Sequence, residues 1–295
     1  HNVFLYTGSP AVPPIPTGGF YLNTANANGG AIYSNGGSTR VRGDSLNGLG
    51  ETNHAAILSG NSASNGGAVY ATGASTLLEL TSTVVVGNNA DNDGGGVLVR
   101  DGAELAMQPL YDDEPGCLPA QVGGGTSAQP RCSVFRDNKA GGAGGALRLL
   151  NGATANVVRT AFHQNVGLDP TGGAVAAVNT GNAAVQEAST LNIEGALITG
   201  NASNTLVYAG NRARVQLRWS TIAGNNAYLI GQVWSPPGVT GRFDFLGSIV
   251  YRNGSAELMT TTGDGSIAYA DCVIGSQHIA DTGLTGADYY SFTDP

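Results

Sequence analysis

The residues of this chain able to do chemistry are few and scattered. Asp112, Asp113 and Glu114 form its one run of adjacent carboxylates, whose oxygens could hold Ca²⁺ or simply line a solvated loop. Close by, Cys117 and Cys132 share a Pro- and Gly-rich stretch and suit a local disulfide that closes a loop. The third cysteine, Cys272, reads as a small buried core residue. Asp91-Asn92-Asp93-Gly94 opens like a calcium loop but lacks the remainder of an EF-hand. None of the 4 histidines, at 1, 54, 163 and 278, pairs with a Ser or Cys in a nucleophile motif. Glycoside hydrolysis needs two carboxylates at a defined separation, and a lyase needs a base plus a cation that neutralises charge. Neither set is assembled in the sequence. The paired glycines open no helix, so they are not nucleotide loops.

What positions these side chains is a repeat. An apolar-x-x-Asn motif recurs, ending at Asn23, Asn61, Asn88, Asn138, Asn165, Asn201, Asn225 and Asn253. A Gly-Gly-Ala-apolar motif follows it at Gly29–Ile32, Gly66–Val69, Gly144–Leu147 and Gly172–Val175, with Gly94-Gly95-Gly96-Val97 as a variant. The Asn positions recur about every 24–28 residues, and three longer intervals are one period plus an insertion. Apolar residues between motifs alternate, as in Leu77-Leu78-Glu79-Leu80, which is strand periodicity with Gly and Asn as punctuation. The expected fold is all-β: a single-stranded, right-handed parallel β-helix (solenoid) of roughly 8–10 coils. In it an inward Asn ladder and stacked apolar residues would run from coil to coil. A left-handed hexapeptide solenoid lacks its register here, and a propeller needs longer blades.

Composition agrees with such a solenoid and excludes several classes. Glycine accounts for 46 of 295 residues, charged residues for only 12%, and hydrophobic residues for 41%, enough for a core. Every basic residue but Lys139 is an arginine, and the net charge of −8 disfavours nucleic acid as a partner. No apolar run is long enough for a membrane-spanning helix. The start, His1-Asn2-Val3-Phe4, has no signal-peptide layout and reads as a mature or trimmed end. A local disulfide would place the chain in an oxidising compartment.

The paired motifs, complete as Phe20–Asn23, Phe135–Asn138 and Phe162–Asn165 beside the Gly-Gly-Ala copies, resemble the repeats of chlamydial polymorphic outer membrane proteins. They are also similar to those of secreted bacterial right-handed parallel β-helix proteins. The resemblance spans residues 20–253 and implies an autotransporter-passenger-like protein, extracellular or on the bacterial cell surface, often an adhesin. It departs from that family in losing the Gly-Gly-Ala motif after Gly172, and no C-terminal membrane barrel is expected within these 295 residues.

Residues 1–19, with four prolines, are expected to be an extended N-terminal lead-in and cap. Residues 20–270 form the β-helix, with insertions near 42–53, 108–131 and 179–189, and 271–295 supply a last strand and partial C-terminal cap. Aligning on Gly-Gly-Ala puts Tyr33, Tyr70, Leu98, Arg148 and Ala176 in one column. Its tyrosines would make a shelf for a sugar ring or stack in an ordinary way. Aligning on Asn puts Arg136 beside His163, and with Arg148 these form a candidate groove for an acidic glycan. Arg212, Arg214 and Arg218 alternate with apolar residues, as on the wet face of a strand. The expected role is non-catalytic: an adhesin or rod that binds a glycan or a cell-surface protein, with no cofactor unless Ca²⁺. The alternatives are a polysaccharide lyase or hydrolase, and self-association into a surface layer or fibre.

Overall fold

Short strands separated by glycine and asparagine cannot bury an apolar face alone, so each must stack on a copy of itself. A computed structural model shows this stacking and describes residues 19–43, 55–109, 133–169, 172–179, 188–251, 253, 257–275 and 289–292. The described residues are all strand, turn and loop, and every strand pairing is parallel. One coil is typified by Thr83–Val86, an asparagine corner, Asn89–Ala90, a glycine corner, Val97–Arg100, a tight turn and Glu104–Gln108. We call the three main stacks faces A, B and C, in that order along the coil. Face A is a 10-stranded sheet in chain order, from Gly19–Tyr21 to Tyr289–Phe292. The protein is therefore a parallel β-solenoid. No helix among the described residues is long and apolar enough to cross a membrane.

The apolar residue of each apolar-x-x-Asn motif stacks on the next through face A. The column runs Phe20, Leu58, Val85, Phe135, Phe162, Ile198, Ile222, Val250 and Ile274. Within it the Phe135 and Phe162 rings lie nearly parallel, with centroids 5.2 Å apart. Face C adds Leu80, Met107, Val157, Ile193, Leu217 and Phe245 in another inward column. Where Phe243 replaces the smaller Val215, the facing strand has Gly231, whose added Cβ would meet Phe243 at 3.1 Å and the Met259 methyl at 2.4 Å. Large and small residues are thus matched across the interior.

The asparagines form a directional ladder. Each side-chain NH₂ from Asn23 to Asn225 donates to Oδ1 of the asparagine one coil on, at 2.7–3.0 Å. The same Oδ1 also accepts the backbone N–H of the earlier asparagine, at 2.9–3.2 Å. From Asn61 onward, the second amide hydrogen goes back to the carbonyl of the apolar motif residue one coil earlier, at 2.8–3.1 Å. Each internal carboxamide therefore uses both donors and both lone pairs while fully buried.

The two glycines of the second motif have separate tasks. Gly66 takes φ of 62°, which a side chain rarely adopts. Gly67 passes so close to the next coil that an added Cβ would lie 2.2 Å from the Gly95 carbonyl oxygen. The copy at Gly172 departs from this scheme. There Gly145 faces the Ala174 carbonyl, so the register slips by one, and Arg148 stacks on Ala177 rather than on the expected Ala176.

Asn138→Ala removes an acceptor from two buried N–H groups of Asn88 and a donor from Asn165 and Val85. It is expected to cost about 3 kcal/mol, read by chemical denaturation. Asn23→Ala, at the exposed start of the ladder, is expected to cost less than about 1 kcal/mol.

Candidate functional site

Because inward positions are filled by the core, chemistry must come from outward side chains and corner loops. The candidate residues read from sequence do not converge on one site. Arg136 and His163 are register neighbours at the end of face A. The Arg136 Nε lies 3.3 Å from Asp137, and His163 Nδ1 is 2.8 Å from the Thr199 hydroxyl. Arg148 stands on face B, beyond the asparagine and glycine corners, so the expected Arg136–Arg148–His163 groove is not formed. Its side chain is tucked against the glycine corner, only 9% exposed, with Asp93 at 3.6 Å. Burial pushes the Arg148 guanidinium below its usual value, and the charges of Asp93 and Asp169 offset this in part.

The tyrosine column exists but is not an open shelf. Tyr33 and Tyr70 stack face to face, centroids 5.5 Å apart, with Tyr33 55% exposed and Tyr70 only 7%. Above Tyr70 the column continues through Leu98, Arg148 and Ala177 to Tyr208. Cys272 is fully buried, and burial raises its thiol pKa; the sulfur lies 3.3 Å from each of the Phe245 and Ala270 carbonyls. Asp112, Asp113, Glu114, Cys117 and Cys132 lie outside the described residues, as do most of the expected insertions and end caps. Among the described residues no cluster of three or more His, Cys, Asp or Glu is placed to hold a metal ion.

Face C carries a site that sequence reasoning recognised only as a wet strand. Thr190, Arg214, Arg242 and Ser266 form one outward column, and Asn156, Asn192, Gln216 and Asp244 a second. Together with Thr240 the later coils line an open groove of ≈ 570 Å³. Asn192 donates to Asn156 Oδ1 at 2.8 Å, and Arg242 holds Asp244 at 2.6 Å. Among the described residues Arg214 and Gln216 have no side-chain hydrogen bond or ion pair, which leaves their donors open to a ligand. The signal was present in sequence. Asn192 to Gln216 and Gln216 to Asp244 repeat the 24- and 28-residue ladder intervals, so aligning three copies on their asparagines superposes the groove.

Residues 56–72 match the Chlamydia polymorphic membrane protein (Chlamydia_PMP) repeat, which covers Leu58–Asn61 and the Gly-Gly-Ala motif that follows. No curated protein and no solved structure matches the chain.

At the turn from face B to face C, burial alone would raise the Asp101 pKa. Hydrogen bonds from Asn151 Nδ2, Arg100 Nε and the Thr72 hydroxyl, with the Arg100 charge, outweigh it and hold this carboxyl below its usual value. A carboxylate with a depressed folded pKa stabilises the fold above the unfolded value of about 3.9 and loses that contribution as pH falls through the folded value. Asp101→Asn is therefore expected to lower Tm near neutrality, with the gap from wild type closing below about pH 4.

Proposed function

We propose that the protein is a non-catalytic rod on the bacterial cell surface that binds an extended glycan along face C. The observation that carries this is the row of unengaged donors on Arg214 and Gln216, set in a groove lined also by Thr190, Asn192, Thr240, Ser266 and the Arg242–Asp244 ion pair. Hydroxyl and amide side chains of both donor and acceptor type suit a ligand rich in hydroxyls. A protein partner would be anchored instead by aromatic and large apolar residues, whereas this groove's lining is polar but for Val215. Successive coils repeat these groups about every 4.8 Å, so a chain of similar units meets similar partners along the axis. Asp244 is held by Arg242 rather than left free as a general acid, which supports binding without cleavage. The repeat match at residues 56–72 supports a cell-surface location.

The test incubates the protein with acidic and neutral polysaccharides, with and without Ca²⁺, and follows chain length by size-exclusion chromatography. Polymer that co-elutes without shortening is expected, and the Arg214→Ala, Gln216→Ala double variant should bind at least about tenfold more weakly. Shortened polymer would make this a lyase or hydrolase. Absence of both binding and cleavage would leave a protein partner or self-association.

A further inference from the structure

The rim of face C holds an exposed aromatic ring at a left-handed backbone corner. Trp219 follows Arg214–Arg218 at the corner leading back to face A, with φ of 47° and 64% of its surface exposed. In the coils before and after, this corner is glycine: Gly195 at φ 63° and Gly247 at φ 55°. The same left-handed corner carries Ser82, Arg159 and Asp271 in other coils, at φ 45–55°, so it admits a side chain although its backbone crowds one. The Trp219 backbone N–H donates to the Leu246 carbonyl at 2.9 Å, and its indole lies over Gly247, where an added Cβ would sit 2.5 Å from Cδ1. A bare Cα above the ring gives the indole a fixed seat at the solvent boundary.

The residue before it is a cation. Among the described residues the Arg218 Nε is buried with no hydrogen-bond acceptor. Glu194, its register neighbour one coil earlier, forms no ion pair with it among the described residues. Arg218 is also the next outward side chain after Gln216 on the groove strand, about 7 Å along it. These two coils gather Arg212, Arg214, Arg218 and Arg242 against Asp244, on a chain whose net charge is −8, so this part of face C is locally cationic.

We propose that Trp219 and Arg218 form a subsite for a carboxylate-bearing pyranose, so that the glycan bound along face C is a uronate-containing acidic polysaccharide. The indole offers a flat apolar surface to the C–H face of the sugar ring. The guanidinium offers a planar pair of donors matched to a carboxylate. The inference rests on the glycan reading of face C and adds the substrate class and the ring that orients it.

The experiment compares binding of polygalacturonate, its methyl ester and dextran sulfate by wild type, Trp219→Gly, Arg218→Gln and the groove double variant. Trp219→Gly places at this corner the residue its neighbours use, so its Tm should hold or rise while affinity for polygalacturonate falls about tenfold. Arg218→Gln should abolish the preference for the free acid over the ester. Wild-type intrinsic fluorescence should change on binding, and that change should be lost in Trp219→Gly with Trp234 still present. Polygalacturonate that binds Trp219→Gly as tightly as wild type, or the ester as tightly as the acid, overturns the subsite while leaving the groove standing if the double variant still weakens binding. Dextran sulfate binding as well as polygalacturonate would reduce the site to general polyanion attraction and overturn the proposal. Failure of every polymer to bind overturns both the subsite and the glycan reading.

Discussion

Everything in this protein depends on coils lying in register at strand spacing, and the buried carboxamide ladder is what makes one register better than its neighbours. A backbone ladder alone tolerates slippage, because any residue can offer an N–H and a C=O to the coil beside it. A buried asparagine does not tolerate it. Its four hydrogen-bonding positions are met only when the next asparagine stands directly opposite, and an unmet buried amide is penalised heavily. Asn138 illustrates the point: its partners come from 50 residues earlier and 27 residues later, so the ladder spans an insertion without losing step. Loops of very different length can therefore interrupt the chain while the interior stays uniform.

The interior was legible in sequence because stacking forces like residues onto like positions. Phe135 above Phe162, and Asn201 between Asn165 and Asn225, followed from motif spacing alone. The glycine corners were nearly as clear, but Gly172 shows where the pattern misleads. Two glycines invite alignment with Gly144-Gly145, yet neither Gly172 nor Gly173 takes the left-handed turn that defines the first position, and the strand shifts by one. A motif names residue types, whereas register depends on the backbone angle each adopts.

The outer faces were far less legible, for a physical reason. An outward side chain feels its neighbours in the coils before and after and the corner beside it, none of which adjoins it in sequence. Arg136 and Arg148 looked comparable as isolated arginines. One lies at the end of a face, and the other is pressed into a corner beside Asp93. The Arg214–Gln216 groove was passed over because each strand, taken singly, shows only ordinary alternation. Its character emerges when three strands are laid side by side. Trp219 was missed for the same reason: its position has meaning only beside Gly195 and Gly247.

The asparagine ladder also gives the rod a polarity that a paired strand lacks. In parallel strands N–H and C=O groups alternate in direction along the axis, so their dipoles largely cancel. The ladder carboxamides all present oxygen toward the earlier coil and an N–H toward the later one. Like the peptide units of a helix, such dipoles add rather than cancel. The two ends of the stack are therefore inequivalent as templates, one an acceptor terminus and the other a donor terminus. Coil addition, whether by a chain folding progressively or by a second rod abutting the first, has a built-in vector, and the reverse orientation would set oxygen against oxygen.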